Sequence, residues 1–166
     1  MMKMKHKYVK GLFVVYLFLL VWIIIFKTEF SIEPLKGLQG INLEPFKYVK
    51  RVGNTINFAD VIENIVVFIP FGLLLKMVNR HISILYATLL FFTTSLFFEV
   101  MQYVLCIGIS DITDLITNTL GGMIGLALYH VLYLGFKKKT DRVLKVALTV
   151  GMLVFMLLYS FLLLVN

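Results

Sequence analysis

The sequence predicts an all-α polytopic membrane bundle: five transmembrane helices, with a short interfacial helix in the first outer loop. Three observations predict it. Of the 166 residues, 60% are hydrophobic and only 15% are charged, whereas a soluble domain is nearer half apolar and a quarter charged. Mean hydropathy is +0.94. Five apolar stretches reach or approach the roughly 20 residues that a helix needs to cross a bilayer core of about 30 Å. The length fits one membrane domain, 1–166. Disorder is excluded by 15 Phe, 8 Tyr and long Leu/Ile/Val runs. Cys106, the single cysteine, rules out an internal disulfide. One Cys with three scattered histidines (His6, His81, His130) cannot supply a tetrahedral zinc site. The net charge of +7 is read as a report of orientation, with no nucleic-acid partner.

The first stretch runs from about Gly11 to Phe26 behind a basic front (Lys3, Lys5, Lys7, Lys10). Lys27-Thr28-Glu29-Phe30 follows in place of a small-residue cleavage site, so the segment reads as an uncleaved anchor. The second runs from about Ile56 to Leu75, the third from Ile82 to Cys106, the fourth from Ile112 to Leu134. A further C-terminal span covers about Val143 to Val165. In the loop between the first two, Phe46, Val49 and Val52 recur at helical spacing opposite Lys47, Lys50 and Arg51. Pro45 suits a first helical position. This predicts a short helix over 45–52 lying in the outer interface, its basic face toward lipid phosphates or solvent.

Charge sets the expected topology. The N-terminus, the 76–81 turn and the 135–142 loop with Lys145 carry 11 of the 16 Lys and Arg residues. The 27–59 loop carries five, offset by Glu29, Glu33 and Glu44. The 107–111 turn and the C-terminus carry none. The positive-inside rule then places the N-terminus in the cytoplasm and the C-terminus outside the cell membrane.

Acidic groups inside spans are costly and face a bundle interior or water. With this topology they converge on the outer half of the membrane. Asp60, Glu63 and Asn64 open the second span; Glu99 and Gln102 close the third; Asp111, Asp114 and Asn118 open the fourth. Asp111, Asp114, Asn118, Gly121, Gly122 and Gly125 fall within roughly one third of a helical wheel. Gly121 and Gly125 have the GxxxG spacing that lets another helix come close. A packing seam faces protein, so the acids above it are expected to face a protein-lined cleft. Pro70, inside the second span, removes a backbone hydrogen bond and is expected to kink the helix and to leave a carbonyl in need of another partner.

Four segments resemble the VanZ-like family of bacterial membrane proteins. They are Asn42-Leu43-Glu44-Pro45-Phe46, Asn64 through Gly72 (NIVVFIPFG), Glu99-Val100-Met101-Gln102, and Asp111 through Gly122 (DITDLITNTLGG). Together they cover about residues 12–134. Ile109 and Ser110 stand where many members carry an Arg before the Asp pair, and Thr113 where many are acidic. The resemblance implies a bacterial envelope protein that contributes to tolerance of the glycopeptide teicoplanin.

Three readings of the acid and amide cluster stay open. It can bind a lipid, a lipid-linked cell-wall precursor or the glycopeptide, directly or through a divalent cation held by oxygen ligands. It can act on a lipid intermediate as an enzyme, by acid–base work of its carboxylates or through a metal-activated water. Against that, the outer half has no His, and Ser95 and Ser110 lack a neighbouring base. It can simply cross-link helices for a protein that works through partners. No cofactor is identified. Lys137-Lys138-Lys139 is a topology determinant and a candidate anionic-lipid contact.

Overall fold

The architecture follows from where apolar runs stop. The computed structural model describes residues 2–26, 38–47, 51–52, 55–56 and 58–165. Five α-helices dominate it: α1 (Met2–Phe26), α2 (Ala59–Val78), α3 (Ile84–Val104), α4 (Ile112–Phe136) and α5 (Thr140–Val165). Four short strands accompany them: β1 (Leu38–Asn42), β2 (Arg51–Val52), β3 (Thr55–Ile56) and β4 (Ile107–Asp111). Among the described residues, four stretches are long and apolar enough to cross a bilayer: Lys7–Ile24, Ala59–Val78, Ile84–Val104 and Ile112–Phe161. The last is 50 residues and runs over α4, a one-turn 3-10 segment at Lys137–Lys139, and α5. The fold is a helical membrane bundle.

Side-chain contacts give the helix directions. Ile65 and Ile69 of α2 meet Gly121 and Gly125 of α4 in the same order, so these two run parallel. Asn118 meets Ser95 and Gly122 meets Phe91, so α3 runs against α4. Tyr8 bonds Thr149, and Trp22 donates to Tyr159 at 2.9 Å, so α1 and α5 run together. At one end the lysine-rich turns gather. Arg80 between α2 and α3 pairs with Asp141 at the start of α5, and this hydrogen bond raises the Arg80 pKa further. Tyr129 donates to the other Asp141 oxygen at 2.8 Å. The opposite end holds β1, β4 and the first turns of α2 and α4.

α2 and α4 pack backbone to backbone. A Cβ on Gly72 would clash with the Gly122 carbonyl and lie 2.8 Å from Leu126 N and 2.9 Å from Gly125 Cα. Gly121 and Gly125 are pressed in the same way on the Ile65 and Ile69 carbonyls. In lipid such contact replaces the hydrophobic effect as the driving force for helix association. Phe68, Phe71, Leu74 and Phe91 fill the seam's flanks, all at 5% exposure or less. Pro70 lies inside α2, which is one helix from Ala59 to Val78. One residue beyond the Val66 carbonyl, which Pro70 leaves without its amide, the Val67 carbonyl accepts from the Tyr16 hydroxyl of α1 at 2.7 Å.

Three sequence expectations are corrected here. The described part of 45–52 is not a helix. Pro45–Lys47 form a turn, Lys47 N donates to Glu44 O at 3.3 Å, and Phe46 has φ 60. Pro45 thus serves position i+1 of a turn rather than the start of a helix. Arg51–Val52 pair antiparallel with Thr55–Ile56, while Lys50 lies outside the described residues. That hairpin also takes Ile56 out of the second helix, which begins at Ala59. The 107–111 segment is not a turn. It is a strand that pairs parallel with β1, from Leu38 opposite Ile107 to Asn42 opposite Asp111. Cys106, at φ 53, ends α3 in the left-handed conformation and turns the chain into that strand.

Candidate functional site

The β4–α4 junction organises the polar end. Asp111 is both the last residue of β4 and the N-cap of α4, its Oδ1 accepting from Thr113 N at 2.8 Å. Its own amide donates to Glu99 Oε2 at 2.8 Å. The Ser110 hydroxyl donates to the Glu99 carbonyl at 2.7 Å. Glu99, at the end of α3, therefore clamps the strand that leads into α4, and it does so at 5% exposure. Asp111 belongs to a cap rather than to the helical stripe expected from its spacing.

One turn deeper, Asn64 Nδ2 of α2 donates to Asp114 Oδ1 of α4 at 2.8 Å. Both residues are half-buried. A further turn in, Asn118 Nδ2 donates to Ser95 Oγ of α3 at 3.0 Å, at 1% exposure. Asn118 Oδ1 has no partner among the described residues. A buried amide oxygen without a donor costs on the order of 1–3 kcal/mol, so this oxygen is a place where the network is open. Gln102, also on α3, donates to the Ile24 carbonyl of α1 at 2.9 Å, which ties α1 to the same end.

Of the residues singled out from sequence, Asn64, Glu99, Asp111, Asp114 and Asn118 thus enter three separate hydrogen-bonded pairs along the start of α4: Glu99 with Asp111, Asn64 with Asp114, and Asn118 with Ser95. Gln102 faces α1. Glu63 and Asp60 are exposed on α2 and make no hydrogen bond or ion pair in this network. Being near in sequence to Asn64 places them at the same end of α2 but exposed. Lys47 bonds Glu44 at 2.9 Å at the surface, and Arg51 falls on β2. Gly121, Gly122 and Gly125 lie directly beneath the acids, in the seam with α2 and α3. Among the described residues, no group of three or more His, Cys, Asp or Glu is placed to hold a metal ion.

Sequence reasoning missed Thr113, Asn42 and the role of Ser95. Thr113 Oγ1 accepts from Phe46 N at 2.9 Å, docking the outer turn on the start of α4. Asn42 is 4% exposed, its side chain bonded to Glu44 N at 3.2 Å and Glu44 O at 3.0 Å. An Asn two residues before an x-Pro turn is a readable Asx-turn signal. The hydroxyls of Ser95 and Ser110 are members of this network.

The comparisons agree with the segments that build this junction. A family model described as VanZ/LLP1 matches residues 13–134. Protein VanZ of Enterococcus faecium is 39% identical over 152 residues, covering 90% of this chain and 89% of that protein. The chain belongs to the VanZ family. No solved structure matches it. The VanZ region takes in every helix and strand that contributes to the polar network, and it ends before the Lys137–Lys139 turn and α5.

Proposed function

We propose that this VanZ-family protein contributes to tolerance of teicoplanin-type glycopeptides through the polar site at the β4–α4 junction, which opens outward and binds a lipid-linked cell-wall precursor or the glycopeptide itself. The observation that carries the reading is that two carboxylates from different helices are each held by a polar bond at the same end of the bundle. Glu99 is held by the Asp111 amide and Asp114 by the Asn64 amide, at one end of the bundle. Carboxylates kept at membrane depth favour a role beyond packing. Asp111, Asp114 and Asn64 are partly exposed and so within reach of a ligand, while Asn118 leaves an acceptor unused below them. A divalent cation at this site would be completed by the ligand's own phosphate or amide oxygens.

In this reading the chain crosses the cell membrane five times, because the 50-residue apolar stretch is more than twice one span. The lysine-rich end lies in the cytoplasm, with the N-terminus, and the polar end and the C-terminus outside.

The test is teicoplanin susceptibility in a bacterial host that lacks its own copy. Glu99→Gln and Asp114→Asn keep side-chain shape and an acceptor oxygen but remove the charge. At wild-type protein levels, both are expected to lose most of the tolerance. Full tolerance in both variants would remove the site from the account.

A second reading is favoured by the burial of Glu99, Gln102 and Asn118 and by their bonds to protein groups. There the network is a clasp between helices, and the chain acts through partner proteins. Hydrogen bonds between membrane helices contribute about 0.6 kcal/mol each, so a clasp predicts that tolerance follows stability in every variant.

A further inference from the structure

The lysine turn between α4 and α5 plays no part in the site above. Lys137–Lys139 form a single 3-10 turn, and Lys137 takes φ 47, the left-handed step that lets α5 fold back on α4. Thr140 closes the turn, its Oγ1 donating to the Lys137 carbonyl at 2.8 Å. Three consecutive residues on a 3-10 turn point about 120° apart, so the three ammonium groups spread around the turn instead of stacking. A shallow, open crevice lies here, formed by the single segment Tyr133–Lys139, which sets Tyr133, Leu134 and Phe136 beside Lys137, Lys138 and Lys139. Gly135 borders open space, since a Cβ at that position would meet nothing within 4 Å.

The charge in this crevice is uncompensated. All three lysines are exposed, and among the described residues none is in an ion pair. Asp141, the nearest acid in sequence, is engaged by Arg80 and by the Tyr129 hydroxyl. The apolar wall is uncovered as well: Leu134 is 72% exposed and Phe136 48%.

The geometry points to a binding site for an anionic phospholipid, its phosphate at the Lys137–Lys139 turn and the upper part of an acyl chain against Tyr133, Leu134 and Phe136. Basic groups next to a helix end attract anionic headgroups. A free anion gains nothing from the three apolar side chains, and a zwitterionic lipid brings, beside its phosphate, a cationic group that the lysines repel. Both features together select a lipid with net negative charge. The site is independent of the polar network, so its failure would leave the proposed function standing.

Full-length protein in a neutral detergent, titrated with dioctanoyl phosphatidylglycerol, dioctanoyl phosphatidylcholine or inorganic phosphate, tests this by thermal unfolding. Phosphatidylglycerol is expected to raise the midpoint saturably, with little response to the other two. Changing all three lysines to Gln should weaken the phosphatidylglycerol titration by roughly tenfold or more, while changing all three to Arg should preserve it. Gly135→Trp, which fills the crevice and leaves every charge in place, should also weaken it. An equal response to phosphatidylcholine or to inorganic phosphate overturns the proposal. So does an unweakened titration in the Gln variant or in Gly135→Trp. If the Gln variant does not fold, Gly135→Trp decides alone.

Discussion

Gly72→Ala is expected to destabilise the bundle strongly, as is Gly125→Ala across the same seam. At Gly72 the added Cβ would meet only backbone: the Gly122 carbonyl, Leu126 N at 2.8 Å and Gly125 Cα at 2.9 Å. Flexible side-chain ends can turn aside, but helix backbone cannot, so α2 and α4 must separate along the seam. Overpacking a tight contact costs about 1–3 kcal/mol, sometimes more, and here the upper part of that range applies. For a chain of this length, that lowers the unfolding midpoint by on the order of 10 °C. Thermal unfolding in detergent and the steady-state level in the membrane report it. Gly151→Ala is the control, because a Cβ there meets nothing within 4 Å. Equal midpoints for Gly72→Ala and Gly151→Ala would mean that α2 and α4 do not touch as described.

Glu99→Ala is the second large effect. Glu99 Oε2 is the acceptor for the Asp111 amide, at the point where β4 becomes α4. Truncation leaves that amide without its partner at a junction that also carries the N-cap of α4. A hydrogen bond to a charged group contributes roughly 1.5–3 kcal/mol, so Glu99→Ala should lose about 2 kcal/mol or more. Glu99→Gln keeps a carbonyl oxygen in the same place and should stay close to wild type in stability. The pair separates shape from charge: Ala fails in thermal unfolding, whereas Gln fails only in tolerance. Should Ala and Gln unfold at the same midpoint, the clamp on the strand would not exist.

How much of this was legible in the sequence depends on the range of the interaction. The helices were readable because an apolar run of about 20 residues has few alternatives in lipid. The glycine seam was readable because GxxxG is a local spacing with one mechanical consequence. The parallel pairing of β1 with β4 was not. Its two strands are five residues each, each contains a glycine, and two whole helices separate them. Nothing local marks such a partner.

The outer turn shows a different limit. Phe46, Val49 and Val52 do have helical spacing, but Pro45 and the Asn42 side chain favour a turn, and Thr113 receives the Phe46 amide from 67 residues away. The tertiary bond decides between two locally acceptable conformations. Within the polar cluster, spacing placed each residue along its helix but not its direction around it. Asn64 turns to Asp114, while Glu63, one residue before it, stays exposed. Asp111 fits the helical stripe of Asp114 and Asn118 by number, yet it caps the helix because a β-strand delivers it in extended conformation, at φ −121.

The central claim is that the carboxylate on α4 acts on a ligand and does more than hold α2. Exchanging the partners tests it most directly: Asn64→Asp combined with Asp114→Asn rebuilds the amide–carboxylate bond with donor and acceptor reversed. Thermal unfolding and teicoplanin susceptibility are measured on the same preparations, with each single variant alongside. The account predicts that the double variant regains wild-type stability but stays sensitive to teicoplanin, because the charge now sits on α2. Recovery of both stability and tolerance would contradict it, leaving the Asn64–Asp114 bond as a clasp between helices.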